Sequence, residues 1–275
     1  MKVDSREYKL LVRHEPFADV EAAVAAVWEE IEEAVETLPL VRTKGQLDER
    51  ESRTIAFLDT PGRTLRRHGL LLRYRVGDGA VKYTLKCRSE DRYFAAETDV
   101  GAADGLGGEE KLEEDIAPPF RCRLSRSCTI TAADDSEAAF PAMPESLGDA
   151  ADLFPILGTL RLDGRPCPPE TALAPVNGIT VTERVWKGGK VVFEAMDMEA
   201  YDDKAGLALI LWSRGESGRP AIAELSYRIK WAEERFGREL AMAARSFYEL
   251  LQRLDCARRA GMTKTEYVYR DASRE

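Results

Sequence analysis

Two neighbouring stretches carry the residues with the clearest chemical purpose. If Leu70–Val76 is extended, its side chains alternate, so Leu72 and Tyr74 face one way and Leu71, Arg73 and Arg75 the other. The same period in Val81–Arg88 collects Lys82, Thr84, Lys86 and Arg88 on one face. Gly77-Asp78-Gly79 between them reads as a turn, so the two stretches form a hairpin with a cationic stripe on a single face. A solvent-facing sheet usually mixes signs, because like charges opposite one another repel. From Arg63 to Arg92 nine Lys and Arg stand against three Asp and Glu, in a chain whose formal net charge is −9. The natural partner of such a stripe is a small anion.

What the chain lacks narrows the chemistry further. It has two histidines, His14 and His68, and five cysteines with no paired spacing. No zinc cluster, H-E-x-x-H helix or His-centred nucleophile can be assembled from them. The glycines at 105–108 and 188–189 lack the Lys-Ser/Thr of a phosphate-binding loop and read as turns. Any reaction must run on Lys, Arg, Asp and Glu, which suit phosphate and hard divalent cations. The overall acidity argues against a nucleic-acid polymer as partner. The longest apolar run, around Ala205–Trp212, is too short to span a membrane. Unpaired cysteines and no leader signal place the expected setting in the reducing cytoplasm.

The elements that must position these residues follow from periodicity. Glu7–Val12 reads as a first strand, and Asp19 as the cap of an amphipathic helix to about Glu36, with Val20, Val24, Val27, Ile31 and Val35 on its apolar stripe. Thr54–Asp59 is the next strand, then a turn at Pro61-Gly62 and one basic helical turn whose Arg66 and Arg67 are expected on a solvated face. Arg92–Val100 reads as a strand presenting Glu97 and Asp99. Lys111–Ile116 alternates to bring Lys111, Glu113 and Asp115 together, and Arg121–Thr131 is a strand or short helix. The stretch from Ala132 to about Pro155 reads as a connection with some helix. Ile179–Trp186 and Val191–Met198 read as a hairpin turning at Lys187–Lys190. Ala221–Lys230 is a late strand that runs into a helix from Trp231 to about Arg259, and Thr263–Tyr269 alternates like a last short strand. Eight or so strands with helices at the edges predict an α+β fold, an antiparallel sheet curled into a barrel. One domain over 1–275, interrupted around 132–175, accounts for all of it, and the long C-terminal helix is compatible with a homodimer.

The order FLDTPGRTLRRHGLLLRYR followed by YTLK resembles the signature of the CYTH family, the triphosphate tunnel metalloenzymes. The resemblance implies an eight-stranded antiparallel tunnel, open at both ends. Lys and Arg on its wall would hold a triphosphate, and inward acids would hold Mg²⁺ or Mn²⁺. Carried over residue by residue, the phosphate-holding set is Lys9, Arg73, Arg75, Lys86 and Arg184, joined by Lys111 and Lys264. The metal-holding set is Glu7, Glu113, Asp115, Asp197 and Glu224, with Glu97 and Asp99 as the second candidate for the acidic strand that Glu113 and Asp115 represent; 111–115 is preferred because Lys111 supplies the basic member of the pattern. Ser5, Thr182, Ser226 and Arg228 stand where the family's pattern has charged residues, acids at three of these positions and a Lys at Thr182. The implied function is metal-dependent hydrolysis of a triphosphate-containing substrate: inorganic, nucleoside or thiamine triphosphate. The alternative is a non-catalytic binder of polyphosphate or nucleotide that has lost part of the metal site.

Overall fold

Strands rich in alternating apolar and charged residues dominate the chain, and the computed structural model closes them into a barrel. It describes residues 3–77, 79–133, 143–194, 203–214, 220–230, 237–258 and 263–270. The strands are β1 (Ser5–Val12), β2 (Val41–Lys44), β3 (Asp48–Asp59), β4 (Leu70–Gly77), β5 (Ala80–Ser89), β6 (Gly108–Ala117) and β7 (Arg121–Ala133), then the two-residue pair β8 (Arg161–Leu162) and β9 (Arg165–Pro166), and finally β10 (Ala174–Phe193), β11 (Asp203–Arg214) and β12 (Pro220–Lys230). The helices are α1 (Val20–Val35), α2 (Thr64–Arg67), α3 (Arg92–Glu97), α4 (Leu147–Leu153), α5 (Arg238–Leu251) and α6 (Lys264–Tyr269).

The sheet runs β11-β12-β1-β6-β7-β5-β4-β3-β10, and β10 pairs back onto β11, so nine strands close on themselves. The expected barrel is therefore present, with nine strands where the sequence suggests about eight. All pairings around the ring are antiparallel except β1 with β6, where Glu7 stands opposite Asp115. Closure leaves the ring without an unpaired edge.

Alternation gives each strand an outer apolar face, and two layers cover it. On one side α1 and α5 bring Val24, Trp28, Ile31, Phe247 and Leu251 onto Tyr8, Leu10, Leu209, Leu225 and Tyr227. Asp19 caps α1 as expected, accepting from the Ala22 amide. On the other side Leu147, Ala150, Leu153, Phe154 and Leu157 pack onto Leu58, Leu72, Leu85 and Ile130. The described part of the 132–175 segment is thus a cover for the barrel, where the sequence reading expects a connection. Inside, Leu11, Ile55, Phe57, Leu71, Trp212 and Ile222 meet Val268 and Tyr269 of α6, filling part of the bore with apolar side chains.

Several expected elements differ. Residues 187–190 do not turn. β10 runs straight through them and pairs with β11 on both sides, with a bulge between Lys187 and Lys190. A Cβ on Gly188 would lie 2.5 Å from the Gln46 carbonyl, and one on Gly189 would lie 2.6 Å from the Trp28 ring. These glycines serve close approach of neighbouring chain, a role that sequence cannot separate from a turn. Arg92–Glu97 is helical because the Asp91 carboxylate accepts from the Tyr93 and Phe94 amides. The tail is helical too, since Thr263 and Glu266 form a capping box, the T-x-x-E signature that outranks a short alternation. The late helix is described over Arg238–Leu251, and the expected residues 231–236 lie outside the described residues. Among the described residues no helix is long and apolar enough to cross a membrane.

Candidate functional site

The inward positions of the strands enclose a cavity of about 430 Å³. Among the described residues fourteen Lys and Arg line it against eight Asp and Glu, an excess of cations inside a chain that is acidic overall. The β4–β5 hairpin supplies its stripe as expected: Arg73 and Arg75 from β4, and Lys82, Thr84, Lys86 and Arg88 from β5. Lys9 and Glu7 enter from β1, Lys111, Glu113 and Asp115 from β6, and Glu224 from β12. Lys264 reaches in from α6.

The acids on the β1–β6 wall are committed to cations. Asp115 is 2.7 Å from the Lys9 ammonium, 3.2 Å from Lys86 and 2.8 Å from Arg88. Burial alone would raise its pKa, but Lys86, Lys9 and Arg88 hold it well below the usual carboxylate range. Glu7 sits 3.0 Å from Lys9 and 3.1 Å from Arg228, which together outweigh its burial and bring it to about 2. Glu113 accepts from the Ser5 hydroxyl at 2.9 Å and lies 3.5 Å from Arg228. Glu224 is 2.9 Å from Lys264. Among the described residues no three His, Cys, Asp or Glu stand together to hold a metal ion. The described members of the expected metal-holding set are each paired with a cation in this arrangement, and no step is assigned to a metal ion.

The cations opposite are less well matched. Among the described residues, Arg73 has a long contact to the Thr84 hydroxyl, 3.4 Å, and its Nε is buried without a hydrogen-bond partner. The Nε of Arg75 is likewise buried and has no partner among the described residues. Burial, reinforced by the neighbouring Arg73 and Arg53, pushes Arg75 down to about 9. Lys86 is lowered to about 8, because burial and the nearby Arg88 and Lys9 outweigh Asp115. A cationic side chain held in this way is short of negative charge.

Two sequence assignments need correcting or setting aside. Arg184 is on the outer face of β10: it forks onto Glu49 at 2.8 and 2.5 Å and lies 4.7 Å from the centre of the Trp186 ring. The period of two puts Glu183 inward instead, one residue out of phase with the motif alignment. Asp197 lies outside the described residues. Of the two candidate acidic stretches, 111–115 is the one that faces the cavity, while Glu97 ends α3 and Asp99 accepts from the Gly101 amide.

Sequence reasoning missed a second cluster. Glu183 accepts from Arg53 at 2.6 Å and from the Trp212 indole at 2.7 Å, with Lys264 at 3.7 Å. Burial is outweighed there by Lys264 and Arg53, and Glu183 falls to about 2. Arg53 was legible in principle, since it shares the inward phase of Ile55 and Phe57 on β3. Arg228, noted only as a departure from the motif, is an inward partner of Glu7.

No protein-family model matches the chain, and no curated protein matches it. Among solved structures, a putative adenylyl cyclase from Hippeastrum, HpAC1, described as having a dominant triphosphatase activity, is 11% identical with a TM-score of 0.45, over 96% of this chain and 93% of that one. A putative adenylate cyclase from Bacillus halodurans is 14% identical with a TM-score of 0.43, over 97% of both chains. One from Vibrio parahaemolyticus is 10% identical with a TM-score of 0.36, over 97% of this chain and 98% of that one.

Proposed function

We propose that the barrel interior binds a small molecule bearing a chain of phosphates, a triphosphate in the first instance. The observation that supports this most is the pair Arg73 and Arg75, inward guanidiniums with buried, unpartnered Nε donors in a cavity already rich in cations. Phosphate oxygens satisfy such forks two at a time, and several linked phosphates engage several cations at once. A carboxylic acid or a single phosphate offers fewer contacts to the same wall.

Hydrolysis of the phosphate chain with Mg²⁺ or Mn²⁺ is the second reading, favoured by Glu7 and Asp115 standing opposite one another on β1 and β6 with Glu113 two residues away. Because these carboxylates are committed to cations, binding does not depend on a metal in this proposal.

Calorimetric titration of the full chain with tripolyphosphate in the presence of EDTA tests the first reading. Arg73→Ala and Arg75→Ala each weaken binding by about tenfold or more, as the loss of a charge-assisted contact predicts. No binding of tripolyphosphate, ATP or thiamine triphosphate by the unaltered protein would refute the proposal. Phosphate release that appears only with Mg²⁺ or Mn²⁺ establishes the second reading.

A further inference from the structure

Beside the main cavity lies a second one of about 310 Å³, and the two share Leu71, Arg88, Arg123, Thr263 and Glu266 as lining. Its other walls are Arg66, Gly69, Ser89 and Glu90. Three guanidiniums therefore face a space with two carboxylates, and both carboxylates are occupied. Glu90 bonds Arg123 at 3.2 and 3.1 Å, and Glu266 is turned back onto the Thr263 amide at 2.8 Å as part of the α6 cap. Arg66, expected from sequence on a solvated face, lies with its guanidinium 5.1 Å from the centre of the Tyr269 ring, which orients it at the side of this space.

Arg88 is the junction. One end nitrogen holds Asp115 in the barrel at 2.8 Å, while its Nε is buried with no hydrogen-bond partner among the described residues. The hydroxyl groups of Ser89 and Thr263 add donors without adding charge.

Building on the reading above, we infer that this vestibule is a second anion subsite, continuous with the barrel through Arg88, and that it takes further phosphates of the same chain. The ligand class is then a linear polyphosphate longer than three units. A neutral or aromatic substituent would leave the guanidiniums of Arg66 and Arg88 facing uncharged surface, whereas a continuing phosphate chain satisfies them in sequence.

The test is a comparison of two ligands on two proteins in EDTA: tripolyphosphate and a medium-chain inorganic polyphosphate, titrated into the unaltered protein and into an Arg66→Ala variant. Arg66 lines the vestibule and not the barrel cavity that grips the triphosphate in the reading above. The longer chain binds the unaltered protein at least about tenfold more tightly, and the variant loses about tenfold for that chain while tripolyphosphate is unchanged. A long chain gains a statistical advantage from offering many stretches to the barrel, and the variant keeps that advantage, so the loss on substitution is the diagnostic quantity. Equal losses for both ligands, or loss for neither, overturn the inference. Loss for ATP but not for the long chain would place a nucleoside in the vestibule and overturn it too. In each of these outcomes tripolyphosphate still binds the unaltered protein. Failure of the barrel reading is separate, since it abolishes binding of that ligand altogether.

Discussion

Asp115 carries a single negative charge to which Lys9, Lys86 and Arg88 all point, each within 3.2 Å. Its carboxylate stands where an incoming phosphate would find three ready cations. Replacing it by an isosteric amide separates two roles. If Asp115 is an internal counter-anion, Asp115→Asn binds tripolyphosphate about tenfold or more tightly in EDTA, because the ligand no longer competes with a fixed charge. The same variant is less stable alone by roughly 3 kcal/mol, since it leaves buried cations unpaired, and added ligand restores the loss. Weaker binding would instead make Asp115 part of what holds the ligand. The charges involved were readable because strand alternation is strict: Arg73, Arg75, Lys82, Lys86, Lys111, Glu113 and Asp115 all face the cavity that their phase predicts. Arg184 was misplaced because a motif alignment cannot detect a shift of one residue, which reverses the face of every side chain on a strand.

At the scale of elements, the sequence reading succeeded where periodicity is long and failed where a few residues decide. The alternation of β4 and β5 and the apolar stripe of α1 extend over two or more turns or pleats. The tail Thr263–Tyr269 offers seven residues, in which the Thr263–Glu266 cap decides for helix. The Lys187–Lys190 stretch shows the same limit, since two adjacent glycines serve a bulge as well as a turn. A Cβ at Gly189 would meet the Trp28 ring at 2.6 Å, whereas one at Gly206, on the partnering strand β11, meets nothing within 4 Å. Gly189→Ala is therefore destabilising by roughly 1–3 kcal/mol through overpacking of α1 against β10. Gly206→Ala is neutral, or stabilising by a few tenths of a kcal/mol to about 1 kcal/mol, because only the unfolded chain loses freedom. Urea unfolding of the two variants checks the contrast. Equal effects would mean that the bulge does not depend on the Trp28 approach.

Across the whole molecule, the cationic bore and the cover over residues 143–173 are built on the two faces of the same strands. The inner faces of β3, β4, β5 and β7 line the cavity, and their outer faces hold Leu147, Leu153, Phe154 and Leu157 of the cover. Opening that cover would remove the support behind Arg73 and Lys86, so the single-domain expectation predicts that the two melt together. A ligand at 100 times its Kd stabilises the state that binds it by about 2.7 kcal/mol. For a chain somewhat longer than the 150–250 residues over which 1 kcal/mol shifts Tm by about 2–4 °C, tripolyphosphate should raise Tm by roughly 5 °C. The shift should move a single cooperative transition, followed alike by tryptophan fluorescence and by far-ultraviolet circular dichroism. Leu153→Ala, which removes a side chain 3% exposed, lowers that same transition by the equivalent of roughly 2–5 kcal/mol without splitting it. A second transition that Leu153→Ala lowers and the ligand does not raise would show the 143–173 cover to be an independent unit. The single-domain organisation predicted for residues 1–275 would then fail, even with the barrel and its site intact.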